Sequence, residues 1–338
     1  MIDRHSPTAH AAYHDLLRSL KEEIITEIRG TPGKVERNGK VYWYDTYRVG
    51  SDVRKTYIGE NSPELTNRIA RIKDLRAQSD VRSKHRTRLI KILRAEGFMG
   101  VDAATGSLLS AMAHAGVFRL GGTIVGTHAF RLYEGILGAR YTFDQMAQTG
   151  DIDIASFERL SLALEDSVSP PLQKVLSDFS FEPVPGLDKQ SIWRWRQTRN
   201  DLQVEFLTPS FQANEGIRPL AALGVNAQSL HHLNYLIAGP QQAVAVYRGG
   251  VLVQVPRPER FAIHKLIVAD RRRDNPGGLK STKDRLQAEF LIKILAEDRP
   301  DELKEAFITA LETGPKWQER LDRSLAKLPE SKELLFSL

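Results

Sequence analysis

The sequence contains no cysteine. Disulfides, thiolate metal sites and cysteine nucleophiles are therefore excluded. No stretch approaches the roughly 18–20 consecutive apolar residues of a membrane helix. The opening MIDRHSPTAH lacks the basic-then-apolar order of a secretory signal. A cytoplasmic protein with no membrane attachment is expected. Internal repeats and low-complexity segments are absent, as are a G-x-S-x-G nucleophile elbow and an H-E-x-x-H zinc motif. The run GKVERNGKV is only superficially like a phosphate-binding loop, because Asn38 stands where that loop needs glycine.

What is present is a globular composition, 41% hydrophobic and 27% charged, enough for a packed core. The net charge of +6 is unevenly placed. Residues 1–100 carry 20 Lys+Arg against 13 Asp+Glu, and the remainder carries 28 against 29. A basic first third beside a near-neutral body suits a polyanion such as nucleic acid, or is simply a solvated surface.

Residues 8–29 place Leu16, Leu17, Leu20, Ile24, Ile25 and Ile28 at helical spacing, and Gly30 and Pro32 end the pattern. His10 and His14, four apart, lack an evident third ligand and read as helix-surface histidines. Asn38-Gly39 signals a tight hairpin, and a three-stranded meander is expected over 34–37, 40–48 and 53–58. Its aromatics Tyr42, Trp43, Tyr44 and Tyr47 lie among Arg48, Arg54 and Lys55. They suit either base stacking or the packing of the small sheet itself, and packing is the better fit. Residues 62–97 read as helical. Their basic run Arg82, Lys84, Arg86, Arg88, Lys91 and Arg94 surrounds a stripe of Leu89, Ile90 and Leu93.

Beyond residue 100 the texture changes. A helix ending at Gly116 is expected, then two strand pieces around Gly121-Gly122, a helix from Gly126, and a strand in TGDIDIA. A helix interrupted at Pro170-Pro171 follows. Hairpins are expected around Asn200-Asp201 and Gly249-Gly250, then the helix PERFAIHKLIVADRRR, a break at DNPGGL, and helices from about 280. The fold class is α+β: a mixed sheet with flanking helices, a helical C-terminal region, and an N-terminal helix plus a small β-meander. The expected divisions are 1–100, 101–275 and 276–338.

Asp151 and Asp153 are two apart on a strand, so both side chains share one face while Ile152 and Ile154 take the other. Two carboxylates on one face suit either solvent or a hard divalent cation. Upstream, Val125-Gly126-Thr127 runs from a strand into a helix start, where backbone N–H groups meet phosphate. Downstream, Glu205 alternates with Val204 and Phe206 and so points away from the core. A third carboxylate on a neighbouring strand could complete a two-metal site, which stabilises the attacking and leaving oxygens of an in-line displacement. Trp193 and Trp195 share one strand face and Arg194 and Arg196 the other; core packing is the expected role of the tryptophans. The adjacent His231 and His232 read as structural.

A Gly-Thr helix start, Asp-x-Asp on a strand and a single acid on a later strand resemble the DNA polymerase β-type nucleotidyltransferase superfamily. The run GVFRLGGTIVGTHAF, TGDIDIA, VEFLTP, PRPERFAIHKLIVADRRR and KSTKDRLQAEFL is similar to a bacterial branch of it related to abortive-infection and toxin transferases. The resemblance covers about residues 100–300. It implies that Gly126 and Thr127 hold the triphosphate and that Asp151 and Asp153 bind two Mg²⁺ ions. It implies that Glu205 binds the catalytic ion and favours deprotonation of the acceptor hydroxyl. It directs Lys265 to the nucleotide phosphates, and it places Arg271 to Arg273, Lys280, Lys283 and Asp284 in a second polar cluster, with Arg273 and Lys283 as nucleotide contacts. Two features depart from the superfamily pattern: 23 residues separate Thr127 from Asp151, and the third acid is glutamate.

The expected activity is Mg²⁺-dependent transfer of a nucleotide from an NTP to an acceptor hydroxyl, with RNA, such as a tRNA 3′ end, as acceptor. A toxin-like or defence role, with an antitoxin or a second copy as partner, goes with that branch. The alternatives are a protein or small-molecule acceptor, and a non-catalytic nucleic-acid-binding protein on the same fold.

Overall fold

Ser6 begins the ordered core by capping the first helix, its hydroxyl accepting from the Ala9 amide at 3.1 Å, with Pro7 at the position where a missing N–H costs nothing. The computed structural model describes residues 2–28, 30–49, 52–141, 150–158, 166–185, 192–198, 202–273 and 278–338. The capped helix is α1 (Pro7–Thr26). Its Ala9, Ala12, Tyr13, Leu16 and Leu20 are buried. The meander follows as β1 (Thr31–Arg37), β2 (Lys40–Val49) and β3 (Asp52–Glu60), all antiparallel. Asn38 and Gly39 both take positive φ, 51° and 73°, as a two-residue hairpin turn of this hand requires. Tyr44 is buried and meets the Tyr57 ring at 5.7 Å, while Trp43 and Ile58 pack on Ile25, Ile28, Ile69 and Leu75. The meander thus uses its aromatics as its own core. The Gly50 turn and the side chains of Arg48 and Arg54 lie outside the described residues.

The helical stretch is three pieces, α2 (Pro63–Ala70), α3 (Ile72–Ala77) and α4 (Ser79–Ala95). The basic run on α4 divides by face. Arg86 donates to Glu23 of α1 at 2.9 Å, and buried Arg82 lies 3.7 Å from the same carboxylate. Lys84, Arg88, Lys91 and Arg94 are exposed.

Next come α5 (Ala103–Ala115), closed by Gly116 at φ 94°, then β4 (Thr123–Val125) and α6 (Gly126–Leu137). The two strand pieces expected around Gly121-Gly122 are only one. Val117 to Gly121 continue from the helix end as turns, with Leu120 N bonded to Gly116 O and Gly122 N to Val117 O. The apolar run there fills the core through Val117, Phe118 and Leu120 without being extended.

After β5 (Asp151–Ala155) come α7 (Leu172–Asp178), β6 (Phe181–Pro183), β7 (Arg194–Gln197), β8 (Gln203–Pro209), β9 (Ile217–Leu220), β10 (Val225–Leu230) and α8 (Leu233–Ile237). The helix expected just after β5 and the turn at Asn200-Asp201 fall largely outside the described residues. The main sheet runs β4-β5-β8-β10-β9, with β7 also on β8 and β6 on β7. β5, β8 and β10 are mutually parallel and the other pairings are antiparallel, so the sheet is mixed. On one face Ile124, Ile152, Ile154, Trp195, Val204 and Phe206 are buried.

The hairpin β11 (Gln241–Ala245) and β12 (Val251–Val255) forms its own two-stranded sheet. Its outer edge is closed by α1, where the Tyr13 hydroxyl accepts from the Val244 amide at 3.0 Å. Tyr13 also lies on Gly135 of α6, where a β-carbon would strike its ring. α1 therefore belongs to the same core as α6 and β11. The C-terminal helices are α9 (Pro258–Arg271), α10 (Leu279–Asp298), α11 (Pro300–Glu312), α12 (Pro315–Leu325) and α13 (Pro329–Ser337). Buried Asp270 of α9 receives Arg320 and Arg323 of α12 at 2.9 and 2.8 Å, which ties these two helices together. Among the described residues no helix is long and apolar enough to cross a membrane.

Candidate active site

One row crosses four strands. Val125 of β4 pairs with Asp153 of β5, Asp153 with Glu205 of β8, and Glu205 with Arg194 of β7. Directly paired residues share a face, so Asp153, Glu205 and Arg194 project together, and Asp151, two residues before Asp153, joins them. The opposite rows supply the buried isoleucines and Val204 of the core face, and that burial fixes which way the acids point. The sheet thus brings the three expected acids onto one face.

Burial pushes the Asp153 carboxyl up to about 7, and Glu205 and then Asp151 push the same way, while Lys265 and Arg272 pull it down. Burial also raises Glu205, which Arg194 opposes from 3.7 Å and Asp151 reinforces. These are acids crowded by like charge and short of water. The donors are carboxylate oxygens alone, the chemistry of Mg²⁺ or another hard cation rather than zinc. Among the described residues no three of them converge into a ready ligand set, and Glu205 leans on Arg194. Asp151, Asp153 and Glu205 suit a hard divalent cation in donor type and in the face they share.

Gly126 begins α6 directly from the end of β4, at φ 65°, with no side chain capping the helix. A β-carbon there would collide with the Asp153 carboxylate. Glycine is required both for the backbone turn and for the close approach. The first turn of α6, which no side chain caps, begins beside the Asp153 carboxylate. Thr127 is buried at the second position of the helix.

A cavity of about 290 Å³ opens here, lined by Gly126, Asp153, His264, Lys265, Arg271 and Arg272 among others. Its apolar wall includes Leu207, Leu233, Leu236 and Phe261. Lys265 is buried on α9 with its ammonium 5.2 Å from the Phe261 ring centre and 2.5 Å from Asp284 of α10. Arg271 reaches Glu215 at 3.1 Å. Burial, with Lys265 beside it, pushes His264 down to about 3, so its ring is neutral at ordinary pH. A larger cavity of about 460 Å³ lies between α1, β3, α5 and β12 and holds none of the carboxylate row.

The nucleotidyltransferase family model matches residues 103–312. The chain belongs to that nucleotidyltransferase family. A second family model, a domain of unknown function (DUF6788), matches residues 11–67 of the transferase. Among solved structures, an antigenic nucleotidyltransferase-like protein from Paracoccidioides brasiliensis is similar at 14% identity and a TM-score of 0.33, over 66% of this chain and 94% of that one. No curated protein matches the transferase.

The structure gathers Gly126, Asp153 and Lys265 at one cavity, with Asp151 and Glu205 on the adjoining sheet face. The expected nucleotide contact Arg273 is elsewhere: it turns to Asp270 at 3.4 Å and is not among the cavity residues. Arg272 is two helical turns from Lys265 and shares its face, whereas Arg273 is rotated off it. Lys283 is also not a lining residue; burial lowers its pKa, and Lys265 adds to that. His231 lines the cavity, Glu215 accepts from Arg271 and Arg194 lies beside Glu205; none of the three was assigned to the site from sequence. Arg194 was readable from strand alternation. Glu215 and His231 meet through a loop contact, His231 Nδ1 to Glu215 at 3.0 Å, which carries no local pattern.

Proposed function

We propose that the transferase moves a nucleoside monophosphate from an NTP to an RNA hydroxyl, with Mg²⁺ held by Asp151, Asp153 and Glu205. The observation that carries this is Asp153 lining one cavity with Lys265, Arg271 and Arg272, while Glu205 pairs beside it on the same sheet face. The acceptor oxygen forms a bond to the α-phosphorus, the bond to the bridging oxygen of the β-phosphate breaks, and pyrophosphate leaves. Glu205, raised by burial, takes the acceptor proton. The amides of the first turn of α6 and the side chains of Lys265, Arg271 and Arg272 bind and orient the phosphates, and the apolar wall excludes water. When bound, the divalent ions stabilise charge on the attacking and leaving oxygens.

The exposed side of α4 supports RNA as acceptor. Lys84, Arg88 and Lys91 repeat at helical spacing and face solvent. Arg82 and Arg86 are committed to Glu23 and so are structural rather than RNA contacts. A tRNA 3′ end and a toxin-like role are the specific form this reading takes.

The test is transfer of α-³²P-labelled ATP, CTP, GTP and UTP, each in turn, to total cellular RNA with Mg²⁺. Label on RNA with the wild-type protein, lost in Asp151→Ala/Asp153→Ala, is expected. NTP binding without any labelled RNA would overturn the RNA acceptor, and protease-sensitive label would replace it with a protein.

A further inference from the structure

Asp284 lies on α10, outside the sheet that carries the acids, and is 1% exposed. Its two oxygens are divided between two cations of the cavity that Asp153 lines. Oδ1 accepts from Lys265 Nζ at 2.5 Å and Oδ2 from Arg272 Nη1 at 2.7 Å. Both cations line the cavity with Gly126 and Asp153. The cluster is one negative charge between two positive ones, so it keeps a net positive charge directed at a space bounded by carboxylates. Burial favours neutral Asp284, but Lys265 and Arg272 outweigh it and hold the carboxyl below its ordinary range. Lys265 has apolar Phe261 on one side, and a desolvated ammonium keeps its place only with a counter-ion.

We propose that Asp284 is a positioning residue for nucleotidyl transfer, fixing the Lys265 ammonium and the Arg272 guanidinium where they receive the phosphates of the incoming nucleotide. This rests on the reading that the cavity takes an NTP. An ammonium has three donors and a guanidinium five, so a bond from each to Asp284 sets their direction and leaves capacity for phosphate oxygens. The arrangement pre-forms the anion site before the ligand arrives, which lowers the ordering cost of binding.

The experiment is calorimetric titration of inorganic tripolyphosphate into the full chain, well below its Tm. The proteins are wild type, Asp284→Asn, Asp284→Glu, Arg272→Gln and the double variant Asp284→Asn/Arg272→Gln. Asp284→Asn is expected to weaken binding by about 10- to 100-fold, the range for loss of an outer partner of a binding group. Asp284→Glu, which keeps the charge on a longer arm, falls between Asn and wild type. The double variant loses less than the product of the two single losses, because Asp284 acts through Arg272. A purely structural ion pair would lower Tm and leave the affinity of the folded protein unchanged. Wild-type affinity in Asp284→Asn, or a multiplicative double variant, overturns the inference while the NTP reading stands. If Asp284→Asn does not fold, Asp284→Glu decides: intermediate affinity supports the inference and wild-type affinity overturns it. Failure of the wild type itself to bind tripolyphosphate overturns both.

Discussion

The carboxylate of Asp153 rests against the α-carbon of Gly126, in the space a β-carbon would occupy. Strand end, helix start and acid are therefore locked to one another. Gly126→Ala should displace the carboxylate and strain a backbone held at φ 65°. Transfer should fall by about 100-fold, the usual effect of misplacing a reacting group by an ångström. Stability should fall by about 1–2 kcal/mol from the left-handed backbone. Steady-state turnover with a denaturant titration checks both, and wild-type turnover in the alanine variant would refute the contact's importance.

Crowding of the acids makes a pH prediction. The Asp153 carboxyl stands at about 7 in the folded chain against an ordinary value of 3.8. Below the ordinary value it is protonated in both states and has no effect. As pH rises towards 7, the unfolded chain releases this proton first, so stability is lost; above 7 the penalty is complete. Asp153→Asn should then stabilise the metal-free protein at pH 8.5 by on the order of a few kcal/mol, because a tenfold difference in proton affinity between the two states is worth about 1.4 kcal/mol. Below the ordinary value this contribution vanishes. Transfer should be abolished throughout. Thermal melts with chelator at several pH values measure the difference, and a variant less stable than wild type at pH 8.5 would contradict it.

The two faces of α4 should separate binding from folding. Replacing Lys84, Arg88 and Lys91 by Gln should weaken RNA binding and flatten its dependence on log salt by about 0.7 per lost contact to a single strand. The melting temperature should barely move. Arg86→Ala instead removes the bond to Glu23 and should cost about 1–3 kcal/mol of stability. Filter binding across a salt series, run beside thermal melts, distinguishes them; an unchanged salt slope in the triple variant would exclude this face.

Tyr13→Phe tests the seat of the first helix. The change keeps the ring on Gly135 and removes the acceptor of the Val244 amide. A buried donor left unpaired should cost about 1–3 kcal/mol, read from urea unfolding. A neutral result would mean that the edge of β11 is satisfied otherwise.

Much of this site could be read from sequence because strands alternate with a period of two. The flanking Ile152, Ile154, Val204 and Phe206 set the direction of Asp151, Asp153 and Glu205 through alternation alone. The meander was equally legible through Asn38-Gly39. β9 and β10 were not recognised. The buried face of β10 is Val225, Ala227 and Ser229, with Asn226 and Gln228 between them, so its hydrophobic contrast is faint. Val117, Phe118 and Leu120 misled in the opposite way, being apolar through burial but turned rather than extended. The choice of Arg272 over Arg273 followed from helical phase, which composition alone does not carry. The division of Asp284 between two cations required the packing of α9 on α10, which a single sequence does not specify.

The bond from Tyr13 to Val244 spans 231 residues, and that between Arg4 and Asp298 spans 294. α1 is made first and seated last. At roughly 5–20 residues per second of synthesis, its apolar stripe has no β11 to cover it for roughly 10–50 s after it leaves the ribosome. During that interval the helix depends on its local partners on α4, or on a chaperone, to stay out of aggregates. A nascent chain halted before residue 241 should therefore present α1 to a protease that cannot reach it in the finished enzyme.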